Sequence, residues 1–135
     1  MADLVAERKR LEQLVIDFTD AFNRDDLDGV MSYLAPDAVY DEFNGTANRG
    51  HDAIRAAFVP QFRGDYGKLR FETEDLFVDP VAQKALIRWL CTLDTKRGHA
   101  GWRGLDILHV KDGRITEKHT YAKAQVPLLK PVEGR

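Results

Sequence analysis

Gly104-Leu-Asp-Ile-Leu-His-Val-Lys-Asp-Gly-Arg-Ile-Thr-Glu-Lys-His-Thr-Tyr121 decides the architecture of this 135-residue chain. Asp112-Gly113 stands between two runs of β-branched and apolar residues, a strong local signal for a two-residue hairpin. With Lys111 facing Arg114, strict pairing sets Val110 against Ile115, Leu108 against Glu117 and Asp106 against His119. Side chains alternate along a strand, so Tyr121 joins His119 on one face. Leu108, Val110 and Ile115 share that face, which predicts that it is covered. The expectation is a carboxylate, an imidazole and a phenol on the concealed side of a sheet. The Asp106–His119 pair has two readings. One is acid–base machinery in a hollow, because histidine exchanges protons near neutral pH. The other is a structural cross-strand ion pair contributing about 0.2–1 kcal/mol.

Outward from this hairpin, the N-terminal half is helical. Leu4, Leu11, Leu14, Val15, Phe18 and Phe22 recur at helical spacing and predict a helix over about residues 3–24. Asn23-Arg24-Asp25-Asp26 ends it and offers an N-cap for a second helix. That helix carries Leu27, Val30, Met31 and Leu34 on one stripe and stops at Pro36-Asp37. Ala38 to Phe43 reads as a short strand and 44–50 as a loop. A third helix starts at His51, and Pro60 ends or kinks it. After a loop over 63–67 the chain reads as β. Leu69, Phe71 and Thr73 alternate, but Leu76 and Val78 continue on the opposite parity, which calls for a β-bulge near Glu74-Asp75. Ala85, Ile87, Trp89, Cys91 and Leu93 alternate along a long strand, and strands over 101–110 and 114–125 follow.

Helices first and hairpin-linked strands afterwards means α+β. The expected architecture is three N-terminal helices packed on a strongly curved, mostly antiparallel sheet, forming a cone with an internal pocket. Residues 3–126 are expected to make one domain, with 127–135 a loosely held tail marked by Pro127 and Pro131.

Charge excludes some partners. The net charge of −2 gives no attraction to polyanions, and no aromatic-plus-basic motif suggests nucleic acid. Arg8-Lys9-Arg10 reads as the solvated face of an amphipathic helix. The single Cys91 rules out an internal disulfide, fits a reducing compartment and, mid-strand, is expected to be inert. The N-terminus lacks a signal-like apolar stretch and no span approaches the ~20 apolar residues of a membrane helix. A cytoplasmic location and no membrane partner are the expectations. His51, His99 and His109 show no ligand spacing with a cysteine, and there is no His-x-x-His or Cys-x-x-Cys, so no metal site is expected. Without a Gly-x-Gly-x-x-Gly, no nucleotide cofactor is expected, and none of any other kind.

Four segments carry a family resemblance: Phe18-Thr-Asp-Ala-Phe-Asn-Arg-Asp-Asp-Leu-Asp-Gly-Val30, Leu34-Ala-Pro-Asp-Ala-Val-Tyr-Asp-Glu42, Arg49-Gly50 before the helix at Ala53-Ile54, and Gly104-Leu-Asp106 with Asp112-Gly113. Over residues 10 to 124 the chain resembles the nuclear transport factor 2-like superfamily, and within it the ketosteroid isomerase and SnoaL-like polyketide cyclase branches. The resemblance implies a carboxylate base near the end of the first strand, at Glu42, with Asp41 one register away. It also implies a carboxylic acid that donates to an oxyanion, at Asp106. The position of the isomerases' oxyanion tyrosine is held by Phe18. Dehydratase-like relatives place an aspartate where this chain has Asn23. Cyclase-like relatives often have tryptophan at the position matched to His119.

The base is Asp41 or Glu42. Tyr40 and Glu42 share one face, while Val39, Asp41 and Phe43 share the other. Hydrophobicity argues for Asp41 inward; the family register argues for Glu42, which is preferred. Phe18, Phe22, Tyr40, Phe58, Trp89 and Leu108 are expected to line the pocket. Trp102 lines it or packs elsewhere, and Tyr121 supplies a phenol from another wall. One functional reading is a cofactor-independent enzyme that abstracts a proton from a small hydrophobic carbonyl compound and stabilises the enolate. The other is a non-catalytic ligand-binding or dimerisation module of the same fold. Leu105 and Ile107 on the outer sheet face predict a homodimer.

Overall fold

The computed structural model describes residues 3–65, 67–123 and 131. The expected tail therefore lies outside the described residues, apart from Pro131. Helix α1 spans Leu4–Asn23, capped by Asp3, whose carboxylate accepts from the amides of Val5 and Ala6. Those amides have no intrahelical partner. Leu11, Val15, Phe18 and Phe22 form its buried stripe. Helix α2, Leu27–Ser32, is capped by Asp26 through the Gly29 amide. It ends earlier than its apolar stripe suggests, because Leu34 opens strand β1, Leu34–Asp41, and is buried there. Pro36 lies inside β1 rather than closing the helix. It is tolerated because the pairing of this strand shifts register between Leu34 and Val39, so no ladder bond is required from it.

The stretch expected as a loop contains a short strand, β2, Ala47–Arg49, which folds back on β1 with Val39 opposite Arg49. Helix α3, His51–Arg63, runs through Pro60 and closes at Gly64, whose φ of 87° suits a left-handed C-cap. The remaining strands are β3 (Arg70–Asp79), β4 (Lys84–Thr95), β5 (Gly98–Lys111) and β6 (Arg114–Ala122). The six strands form one curled, unclosed sheet in the order β2-β1-β6-β5-β4-β3. Every neighbouring pair is antiparallel except β1 and β6. The register of β3 shifts between Thr73 and Asp75, so Glu74 is the extra residue that the parity change calls for. No helix among the described residues is long and apolar enough to cross a membrane.

The β5–β6 hairpin departs from strict pairing at one point. Asp112 and Gly113 have φ of 52° and 76°, the two positive values a type I′ turn needs. Lys111 faces Arg114 and Val110 faces Ile115, as the turn requires. Then His109 faces Glu117, which leaves Thr116 as an extra residue. Every later side chain of β6 is thereby moved to the other face. Asp106 faces Thr120, and His119 faces Ile107. The expected Asp106–His119 pair is therefore not formed.

The core lies between the helices and the concave face. Ala85, Ile87, Trp89 and Cys91 of β4 are buried at period two. Leu108 and Ile115 are fully buried, each stabilising the fold by about 1.5–3 kcal/mol. Phe22 stands edge-on to Phe18 at 5.1 Å and to Phe58 at 5.2 Å, and Tyr40 stacks on Phe58 at 4.7 Å. Asn23 ties the end of α1 to β3: its amide donates to the Phe71 carbonyl at 2.9 Å and accepts from the Phe71 amide at 2.8 Å.

Candidate active site

A cavity of about 640 Å³ opens between α1, α3 and the concave sheet face. Phe18, Thr19 and Phe22 of α1, and Ala57, Phe58 and Gln61 of α3, supply one side. Leu69, Phe71, Ile87, Trp89 and Trp102 supply the opposite wall, and Tyr40, Glu42, Phe43 and Asn44 stand where β1 ends. The polar floor is made by Asp106, Lys118 and Thr120, with Ala122 and Lys123 beyond them.

The floor is a closed hydrogen-bond cluster. Lys118 Nζ donates to Asp106 Oδ1 at 2.9 Å and to Thr120 Oγ1 at 2.8 Å. The Thr120 hydroxyl donates to Asp106 Oδ1 at 2.5 Å, and Trp89 Nε1 donates to Asp106 Oδ2 at 3.1 Å. Asp106 thus accepts on both oxygens and has no donor role, so an oxyanion donor must come from its neighbours. The side chains of Lys118 and Asp106 are only 7% and 9% exposed. An ion pair in such a place recovers its desolvation cost only when hydrogen bonds complete it. Leaving Thr116 out of the ladder is what turns Lys118 and Thr120 inward.

Electrostatics keep the cluster charged. Burial alone would depress the Lys118 ammonium. The attraction of Asp106 and Tyr40, the hydrogen bond to Asp106 and the field of Glu42 outweigh it and hold Lys118 above the ordinary lysine value. Burial likewise raises the Tyr40 phenol, against the pull of Lys118. Tyr40 therefore remains a neutral phenol at physiological pH, and Lys118 sits 4.6 Å from its ring centroid. The ammonium has three N–H donors; Asp106 and Thr120 take two, leaving one for a ligand oxygen. Glu42 sits on the same wall, where Asn48 donates to its Oε2 at 2.9 Å.

The expected site residues divide between the two faces of the sheet. Glu42, Asp106, Phe18, Phe22, Tyr40, Phe58, Trp89 and Trp102 border the cavity. Asp41 and His119 do not. They meet on the convex face, with His119 Nδ1 3.1 Å from Asp41 Oδ2 and its Nε2 2.9 Å from Glu117 Oε1. Leu108 is sealed in the core and Tyr121 is exposed on the convex side. Lys118 and Thr120 escaped the sequence reading because an unbroken period-two count from the turn sends both outward. Residues 117–120 are all polar, so no apolar position in this stretch marks the shift.

The profile of the SnoaL-like domain family matches residues 15–118. No curated protein matches the chain. Among solved structures, a candidate polyketide cyclase from Xanthomonas campestris pv. campestris superposes with a TM-score of 0.67 at 25% identity, over 85% of this chain and 91% of that one. A candidate polyketide cyclase from Sinorhizobium meliloti gives 0.65 at 25% identity, over 80% and 93%. A nuclear transport factor 2-like protein of unknown function from Mesorhizobium loti gives 0.72 at 24% identity, over 92% and 97%, a likeness of fold.

Proposed function

This chain belongs to the SnoaL-like domain family, and from that premise we propose that it is a cofactor-independent acid–base enzyme acting on a small, largely apolar carbonyl compound. The Glu42 carboxylate takes a proton from the carbon next to the carbonyl. The C–H electron pair moves onto the carbonyl oxygen, and the enolate so formed is held by Lys118 and the Tyr40 hydroxyl. Asp106, Thr120 and Trp89 fix the lysine rather than touch the reacting atoms. The enolate is the shared first intermediate of isomerisation, aldol-type cyclisation and dehydration. Pre-set charged donors in a water-poor site lower the barrier of such a step by several kcal/mol.

One observation carries the reading: a buried ammonium–carboxylate pair, 2.9 Å apart, faces a largely apolar cavity that also contains Glu42. Nothing in packing alone requires it, because hydrophobic residues of similar volume are often as stabilising at such a position. The polyketide cyclase names borne by two structures of similar fold are in keeping with it. A homodimer is part of the proposal. Phe77 and Tyr121 are exposed on the convex face, in line with Leu86, Ile107 and Leu105 across the sheet.

The test is solvent deuterium exchange into 2-tetralone or a cyclic 1,3-diketone, followed by NMR. Exchange above the buffer rate is expected, with Glu42→Gln and Lys118→Met each lowering it by about 10²–10³-fold. Exchange that both variants leave unchanged overturns the assignment. Saturable binding without any exchange favours the non-catalytic binding module. Sedimentation showing a monomer at micromolar concentration removes the dimer.

A further inference from the structure

The shift at Thr116 that carries Lys118 inward brings three metal-ligating side chains together on the convex face. His109 of β5 stands opposite Glu117 of β6, and His119 follows on the same side. Glu117 is clamped between the two rings, with Oε2 3.0 Å from His109 Nδ1 and Oε1 2.9 Å from His119 Nε2. The ring centroids are 5.6 Å apart, and one ligand atom from each of the three residues lies within 4.8 Å of the other two. All three side chains are part-exposed.

We propose that His109, Glu117 and His119 bind a borderline divalent transition metal, zinc in the first instance. Two imidazoles and one carboxylate are a donor set for zinc, with a fourth position left to water. Zinc bonds of about 2.0–2.2 Å place tetrahedral ligand atoms about 3.3–3.6 Å apart. Each of the two imidazole nitrogens is already closer than that to one Glu117 oxygen, and small rotations of part-exposed side chains bring one atom from each residue to tetrahedral spacing. Imidazole ligands select zinc, cobalt, nickel and copper over magnesium and calcium, which prefer oxygen.

The surroundings fit the assignment. Asp41 receives the far nitrogen of His119 at 3.1 Å. A ligating histidine commonly has a carboxylate in that position, where it fixes the ring and raises its basicity. Lys84 lies opposite His109 on β4 and opposes a cation, but the two carboxylates outnumber it. Linear motif reading misses the group because its members come from two strands and meet only through the shifted register. The metal lies on the far side of β6 from the cavity, so it fastens β5 to β6 and takes no part in the proton chemistry of Glu42.

The experiment uses the full chain without a histidine tag. Zinc is titrated against a chromophoric chelator, and cobalt is added as a visible spectroscopic probe. One zinc per chain is expected, with no competition from magnesium in excess. His109→Gln and His119→Gln should each abolish the one-to-one binding and the cobalt bands, with metal-free circular dichroism unchanged. Asp41→Asn should keep the stoichiometry and weaken affinity about 10–100-fold. His99→Ala removes an exposed His–Asp pair elsewhere and should leave binding as in the parent. No saturable one-to-one binding, or binding that survives the His109→Gln/His119→Gln double variant, overturns the proposal.

Discussion

Asp106→Asn isolates the interaction on which the cavity floor depends. The substitution preserves shape and removes the anion, leaving the Lys118 ammonium in a site where its side chain is 7% exposed. It also weakens the acceptor of the Thr120 hydroxyl and the Trp89 indole. Removing one partner of a buried pair costs about 3–5 kcal/mol. With an unfolding entropy of about 2.1 cal/mol/K per residue, that lowers Tm by about 10–18 °C in a chain of this size. The sign of the pH dependence follows from the raised Lys118 value. Its stabilising contribution in the parent is complete below the unfolded lysine value of 10.5 and is lost only as pH rises through the higher folded value. In the variant, burial acts without its counter-charge, so the deficit shrinks as pH rises and Lys118 sheds its proton. The assay is urea unfolding followed by circular dichroism on the parent, Asp106→Asn, Asp106→Leu, Lys118→Met and the Asp106→Leu/Lys118→Met pair, the last three closing a cycle with the parent. The double variant should recover most of the loss. A deficit below about 1 kcal/mol for Asp106→Asn, or additive effects across the cycle, would refute the reasoning.

Three other perturbations have defined outcomes. Asn23→Asp keeps the acceptor for the Phe71 amide but turns the donor facing the Phe71 carbonyl into a second acceptor; a loss of about 1–3 kcal/mol is expected in urea unfolding at pH 7. Gly104→Ala sets a Cβ 2.5 Å from the Trp89 ring and 2.5 Å from the Tyr121 carbonyl oxygen; it should cost about 1–3 kcal/mol and change Trp89 fluorescence as the indole leaves Asp106. Burial pushes the Cys91 thiol up to about 12, so almost no thiolate exists at pH 8, and a disulfide-exchange reagent should label Cys91 only after unfolding.

The helices, the turn at 112–113 and the bulge at Glu74 are legible in the residues because each leaves a local trace: a 3.6-residue stripe, a residue pair suited to positive φ, a break in alternation. The break at Glu74 shows because apolar residues stand on both sides of it. At Thr116 the same irregularity is masked, since Glu117, Lys118, His119 and Thr120 are all polar and give no vote on which face is inside. That is why the residue pattern places Asp106 in the cavity but points to His119 as its partner. Asn23 shows a different limit. The resemblance marks it only as a missing carboxylate, whereas the carboxamide has a positive role, pairing both ways with Phe71. Pro36 and the three residues of β2 were hidden because an irregular parallel pairing and so short a strand leave no periodic signature.

Whether Thr116 is paired or left out of the β5–β6 ladder determines which side chains floor the cavity. Drawn into the ladder opposite His109, Thr116 would set His119 against Asp106 and Lys118 against Ile107, turning the ammonium to the outer face, with turn, sheet order and helices untouched. Excising Thr116 instead removes the bulge and keeps the lysine inward, because Glu117 already faces His109. In this fold one β-bulge can therefore exchange a lysine-floored cavity for a histidine-floored one without any substitution.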